Sequence, residues 1–278
     1  MPRQFRTLIR SWAKRVLPSF ALDGLQGLYY SFWVLPRASV SDEPDIEVVR
    51  AFLRPGDTAI DAGANYGSYT DAMASCVASG GEVLAIEPIP RTFKLLKAVV
   101  RYRRLQGVLC VNAAVSDRKS VAEMTIPEMG DALNFYRASL DRSDVSGDTV
   151  SVETDTLDSL ASQLEEAPVF VKLDLEGHEG TALAGASRLM EASPAWLLEL
   201  PDDPDDPASD ATAMEELMHL CGYTSWWYNA GPRVLRRRKR GARPINLFYF
   251  TADHLERLKD APFSIELANP ETASHVTM

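Results

Sequence analysis

From residue 41 onward, short apolar runs alternate with stretches of helical periodicity. Val48, Val49, Phe52 and Leu53 form the apolar stripe of a first helix. Ser41 or Asp42 can cap it, Pro44 suits its first turn, and Pro55-Gly56 stops it. The pattern then predicts a strand over Thr58–Asp61, a helix over Ser68–Ser79, a strand over Glu82–Glu87, a helix over Pro90–Leu105 and a strand over Val108–Val115. An irregular middle follows. Beyond it come a strand at Val169–Asp174, a helix at Glu179–Glu191, a strand at Ala195–Leu200 and a helix at Ala211–Cys221. Two further strands, Ser225–Asn229 and Ile245–Phe250, close the series. Short strands alternating with longer helices predict an α/β fold with a doubly wound, mostly parallel sheet of seven strands. No helix separates the last two strands, so they should pair antiparallel at one end of the sheet.

Two segments break this rhythm. Residues 1–20 carry Arg3, Arg6, Arg10, Lys14 and Arg15 and no acid, and Phe5, Leu8, Ile9, Trp12 and Val16 fall at helical spacing. Residues 1–40 thus read as a basic, amphipathic helical extension to a domain over 41–278. Two roles are open to it: packing on the main domain, or lying at an anionic lipid surface. Charges interrupt any signal-peptide core, and the uncharged run Gly24–Pro36 is too short to span a bilayer. The second segment, Arg233–Arg243, holds seven basic residues and should form a loop between the last two strands, while Pro201–Asp210 is acidic and proline-rich. The basic segment is either a solvated loop balanced by those acids or an attractor for an anionic acceptor.

Composition narrows the classes. The chain has 278 residues, 46% of them hydrophobic and 24% charged, which is ordinary for a folded domain. A net charge of −10 disfavours a whole-surface nucleic-acid binder. Cys76, Cys110 and Cys221 are widely spaced and form no metal-binding cluster or disulfide framework, which fits a reducing, cytoplasmic setting.

The candidate chemistry lies at strand ends. Asp61-Ala-Gly63-Ala-Asn65-Tyr-Gly67 follows the first strand and opens a helix. Glycines there let the backbone turn sharply and approach a ligand. The spacing matches neither the dinucleotide fingerprint nor a P-loop. The next strand ends in Ala85-Ile86-Glu87-Pro88, and a carboxylate at that tip can accept hydrogen bonds from both ribose hydroxyls of a nucleoside. These two motifs resemble those of class I S-adenosylmethionine-dependent methyltransferases. The resemblance implies that Asp61, Gly63, Asn65 and Gly67 surround the methionine part of the cofactor and that Glu87 holds the ribose. The stretch Asn112-Ala-Ala-Val-Ser116 would line the adenine pocket, with Asn112 either contacting the cofactor or capping the strand.

Lys172-Leu-Asp174-Leu-Glu176-Gly177-His178-Glu179 is the densest chemical segment, and strand alternation puts Lys172, Asp174 and Glu176 on one side. Charges so placed need pairing or use. With Arg54-Pro-Gly-Asp57, Thr156-Leu-Asp158, Gly185-Ala186, Pro194, Glu199 and Asn246-Leu-Phe248, this segment resembles the FkbM family of methyltransferases. The family implies methylation of hydroxyls on sugars, glycans or polyketide-type small molecules. His178 is then the first candidate for general base, with Asp174 and Glu176 as alternatives, and Asp174 also lies against the cofactor. Asp174 and Glu199 could instead hold Mg²⁺ through oxygen ligands, although two carboxylates make a weak metal site. Two further readings stay open: a noncatalytic scaffold with the same fold, and methylation of nitrogen on a peptide or amine.

Overall fold

The computed structural model describes residues 28–34, 43–78, 80–129, 132–133, 147–200 and 202–266. Residues 1–27, 35–42 and 267–278 lie outside it, and with them the basic stretch 1–20 of the amphipathic extension and the Ser41/Asp42 cap. A π-helical turn, Tyr30–Val34, precedes the first α-helix, α1 (Ile46–Phe52). Along the chain follow β1 (Thr58–Ala62), α2 (Ser68–Val77), β2 (Glu82–Ile86), α3 (Pro90–Arg103) and β3 (Val108–Val111). Then come β4 (Ala114–Ser116), β5 (Ser120–Met129), β6 (Ala132–Leu133), β7 (Gly147–Thr156) and α4 (Leu157–Ala161). The second half holds β8 (Phe170–Leu173), α5 (Glu179–Ala184), α6 (Ser187–Ala192), β9 (Ala195–Glu199), α7 (Asp210–Leu220) and β10 (Thr224–Asn229). It ends with β11 (Val234–Arg237), β12 (Asn246–Phe250), α8 (Ala252–Arg257) and β13 (Ser264–Glu266).

The expected doubly wound architecture is present. Its main sheet runs β13-β11-β10-β12-β9-β8-β1-β2-β3. Strands β3, β2, β1, β8 and β9 are mutually parallel, and β12 is antiparallel to both of its neighbours, β9 and β10. The antiparallel strand is therefore inserted within the sheet instead of closing its end. The sheet also has nine strands among the described residues, not seven, because β11 and β13 extend the far edge.

Alternate residues of each central strand feed opposite layers, as the pleat requires. Ile60, Leu84, Val171, Trp196 and Leu198 pack against Leu157, Ala182, Leu183 and Met218 on one face. Ala59, Val83, Phe170, Leu197 and Phe250 pack against Val49, Phe52, Met73 and Val77 on the other. Burial on both faces explains why these strands read as continuous apolar runs.

Four expectations change in the structure. Helix α1 begins at Ile46 after Asp45, whose carboxylate accepts a hydrogen bond from the Asn246 amide at 2.8 Å instead of capping the helix. The predicted strand over Val108–Val115 divides into β3 and β4, which belong to different sheets. The irregular middle is a second sheet, β4-β7-β5-β6, with Met124, Ile126 and Val152 buried beneath it. The predicted helix over Glu179–Glu191 breaks into α5 and α6 at Gly185, where a Cβ would lie 2.4 Å from the Ser116 carbonyl oxygen.

The basic segment also differs from a free loop, since Val234–Arg237 is a sheet strand. Arg238 is buried between Asp205 at 2.6 Å and Glu215 at 2.7 Å, and Arg243 pairs with Asp203 at 2.6 Å. Arg236 pairs with Glu266, and Arg233 with Glu47. The acidic stretch thus takes up much of the basic charge. Because Arg238 is buried, its loss leaves Glu215 uncompensated, whereas Arg243 is mostly exposed. Arg238→Met should therefore lower the urea midpoint clearly more than Arg243→Met does, as followed by circular dichroism.

Candidate active site

The chain winds from β1 out to β3 and returns to β8 on the other side of β1. A crevice opens at that reversal, beyond the carboxyl ends of the strands. Its walls include Gly63, Asn65, Tyr66, Glu87, Ile89, Ala113 and Met124 at one end, and Glu43, Tyr69, Lys172, Asp174, Glu176, His178 and Glu199 at the other.

The glycine loop owes its shape to three left-handed residues, Gly63 (φ +75°), Asn65 (φ +51°) and Gly67 (φ +94°). Gly63 N–H donates to the Ile86 carbonyl at 3.0 Å, which continues the β1–β2 ladder into the loop. A Cβ on Gly63 would stand 1.9 Å from the Asp174 carbonyl oxygen, so only glycine permits this approach. Gly63 and Asn65 line the cleft, whereas Asp61 and Gly67 do not. Asp61 is fully buried beneath it and accepts a hydrogen bond from the Thr70 hydroxyl at 2.5 Å. Gly67 precedes α2 and faces Leu96.

Glu87 sits at the tip of β2. Its Oε2 accepts the Asn65 N–H and its Oε1 the Ile89 N–H, each at 3.0 Å. Each oxygen retains a lone pair for a ligand hydroxyl. Burial pushes the carboxyl up to about 7, against those two N–H groups. Asn112 lies off the cleft wall, where its amide donates to the Glu87 and Pro88 carbonyls, both at 2.8 Å. It braces the Glu87 turn from behind.

The opposite end is built around Lys172. Its ammonium donates to Asp174 at 2.9 Å, lies 3.8 Å from Asp61 and sits 4.8 Å from the centre of the Tyr69 ring. Burial favours loss of its proton, but Asp174 and Asp61 outweigh burial and hold the amine above its ordinary range. Burial also raises Asp174, yet Lys172 and a hydrogen bond with Glu199 leave its carboxyl below the usual range. Glu199 is the complement. Burial, the hydrogen bond to Asp174 and the Asp174 charge push it up to about 9. The two groups form a carboxylic acid–carboxylate pair at neutral pH, with the proton on Glu199.

Glu176 and His178 complete this end. Glu176 has a left-handed backbone (φ +56°), a costly conformation for a residue with a side chain. It is held by Glu179, whose buried carboxylate accepts N–H groups from Leu175 at 2.6 Å and Gly177 at 3.1 Å. His178 precedes α5, and its Nε2 lies 3.2 Å from the Ser116 hydroxyl. Asp174, Glu176 and Glu199 bring oxygens within 4.8 Å of one another, adding a third carboxylate to the pair considered for Mg²⁺. Lys172, hydrogen-bonded to Asp174 at 2.9 Å, supplies a positive charge beside this trio.

A family model described as the methyltransferase FkbM domain matches residues 61–225, more than half of the chain. The chain belongs to the FkbM methyltransferase family. Among solved structures, the methyltransferase FkbM from Methylobacillus flagellatus KT is similar at 14% identity and a TM-score of 0.46. That match covers 86% of this chain but only 60% of the M. flagellatus chain. The O-methyltransferase from Bacillus cereus, in complex with SAH, matches at 11% identity and a TM-score of 0.45, covering 87% of this chain and 96% of that one. No curated protein matches significantly.

Several FkbM marks away from the cleft have structural work. Thr156 caps α4 by accepting the Ser159 N–H at 3.1 Å, and Asp158 accepts the Arg188 N–H at 2.9 Å and the Leu189 N–H at 3.1 Å at the start of α6. Asp57 accepts the Arg54 N–H at 2.6 Å and pairs with Arg257. Lys172, Glu43, Tyr69, Tyr66 and Glu179 are cleft or support residues beyond those expected from sequence. Lys172 and Glu179 lay in the same dense segment and could have been chosen from its charge alone. Glu43 and Tyr69 reach the cleft only through the fold.

The Glu199 proton gives a stability test. A carboxyl whose folded pKa is raised from 4.5 to about 9 keeps a proton that the unfolded chain releases, so its contribution falls as pH rises through that window. Glu199→Gln keeps a neutral hydrogen-bonding group and removes this dependence. Between pH 6 and pH 9 the melting temperature of the wild type should therefore drop more steeply than that of Glu199→Gln, as read by calorimetry.

Proposed function

We propose that this chain uses S-adenosylmethionine to methylate a hydroxyl of a sugar, glycan or polyketide-type small molecule. The observation that carries the reading is the two-ended cleft. One end presents the Glu87 carboxyl, fixed by two N–H groups, and the other an ionised carboxylate beside its proton-bearing partner. The unpartnered Ser68 hydroxyl on the cleft wall supports the cofactor's place there. It begins α2, whose N-terminal N–H groups favour a carboxylate such as that of the methionine part. The free lone pairs of Glu87 suit the two ribose hydroxyls, and the apolar wall of Ile89, Ala113 and Met124 suits an adenine ring.

When bound, the cofactor supplies a sulfonium methyl group that moves in line to a nucleophile. The chain's contribution is position and proton removal. Holding the acceptor oxygen near the methyl carbon replaces a bimolecular encounter by an oriented one. As the oxygen loses its proton, a base within reach lowers the barrier. Asp174 is that base in this reading, because it is ionised, cleft-lining and held in place by Lys172. Glu199 donates its hydrogen bond to Asp174 and keeps the second carboxylate charge out of the site. His178, the first choice from sequence, contacts the Ser116 hydroxyl and is the runner-up. Hydroxyl acceptors are favoured over amines because a charge-balanced proton acceptor stands ready, which an amine attacking as its free base would not need.

Two measurements test this. Glu87→Ala removes two charge-assisted ribose contacts, each worth roughly 1.5–3 kcal/mol before water compensates. S-adenosylmethionine should then bind at least about tenfold more weakly in calorimetry, with the circular dichroism spectrum unchanged. Asp174→Asn should lower kcat by roughly 10²–10⁴-fold, while His178→Ala falls less. The reverse order would return the base to His178.

A further inference from the structure

The face beside the cleft mouth combines two features. The first is apolar. In the stretch that enters the π-helical turn, Leu28, Tyr29 and Phe32 are 38%, 48% and 57% exposed. Their neighbour Ser31 is buried, and the Tyr30 ring lies 4.9 Å from that of Tyr66, a cleft-wall residue. The exposed rings are thereby fixed at the rim of the cleft. Tyr29 and Phe32 need solvent or a partner on their outer side, since the turn packs through its other face.

The second feature is charge. On a chain of net −10, residues 88–116 contain no acid and six basic residues. Helix α3, against which the π-helical turn lies, carries most of them. Arg103 is spent on Asp71, at 2.8 Å. Lys94, Lys97 and Arg101 are exposed and fall on one side of the helix, with Arg91 next to them. The helix opens at Ile89, which also lines the cleft. Exposed aromatic rings beside a cationic helix flank are what an anionic bilayer surface binds: rings enter the headgroup boundary and cations meet the phosphates. The chain just before the rings repeats the chemistry, with five basic residues, no acid and five apolar residues at helical spacing within residues 1–20.

We propose that this face docks on an anionic membrane, with Tyr29 and Phe32 inserted at the interface, α3 on the headgroups and the cleft mouth turned toward the lipid. A single-stranded nucleic acid also meets cations and rings. The lipid is favoured because Leu28 is aliphatic and because the apolar residues in the sequence of 1–20 recur at helical spacing, the pattern of an interfacial helix. The proposal does not rest on methyl transfer, and the residues tested lie outside the cleft wall.

The test is sedimentation of the full chain with phosphatidylcholine vesicles, with or without phosphatidylglycerol. The wild type should pellet with the anionic vesicles at low salt, remain soluble with phosphatidylcholine alone, and be released by high salt. The triple variant Lys94→Gln, Lys97→Gln, Arg101→Gln should partition roughly 100-fold more weakly, at about one charge contribution per residue. Tyr29→Ser with Phe32→Ser should also weaken binding, but with the salt dependence retained. Unchanged S-adenosylmethionine affinity in both variants certifies the fold. Absence of vesicle binding by the wild type overturns the proposal. So does equal binding by both variants, or retention of an RNA oligonucleotide that both variants lose while lipid binding is absent.

Discussion

One buried ammonium governs the acidic end of the cleft. Asp61, Asp174 and Glu199 come together where three strands end, and water cannot fully solvate them there. Lys172 stands 2.9 Å from Asp174 and 3.8 Å from Asp61, and its charge keeps both carboxylates tolerable in a setting that penalises ions. The Tyr69 ring lies against it, with its centre 4.8 Å away. Replacing it by an apolar residue would leave three acids facing one another, and at least one more would have to take up a proton. The division of labour between ionised Asp174 and protonated Glu199 therefore follows from Lys172 as much as from either acid.

The Glu87 end obeys a different rule. There the backbone does the work: the Asn65 and Ile89 N–H groups fix the Glu87 carboxylate, and the Asn112 amide fixes the turn that carries it. The two ends thus differ in what sets their charge. One depends on a side-chain cation, the other on peptide dipoles. The second sheet stands beside the Glu87 end, and Met124 of β5 reaches its wall. That sheet hydrogen-bonds only within itself among the described strands, so its strands can vary in length or register without disturbing the central ladder.

Much of this was legible in the residues. Strands β1, β2, β8 and β9 are buried on both faces, so their apolar runs stand out against amphipathic helices. The acids at their tips are conspicuous for the same reason. The second sheet was hidden because it buries one face only. In Ser120–Met129 the buried positions, Met124 and Ile126, alternate with Glu123 and Thr125, and the apolar content is too low to separate a strand from a loop. The break between β3 and β4 follows from Asn112 turning toward Glu87, a contact made across 25 residues. Arg238 looked like one charge in a basic run, and only its burial between Asp205 and Glu215 distinguishes it. Lys172 was visible as a charge in an apolar strand with Asp174 two residues on, but its other partners, Asp61 and Tyr69, come from other turns of the chain.

The missing side chain of Gly63 has a mechanical meaning. The glycine loop and the end of β8 approach main chain against main chain, with no side chain between them. The same loop carries Asn65, whose N–H holds Glu87, so one backbone contact joins the turn that clamps Glu87 to the strand end that bears Asp174. Any side chain at position 63 would hold the two walls of the crevice apart.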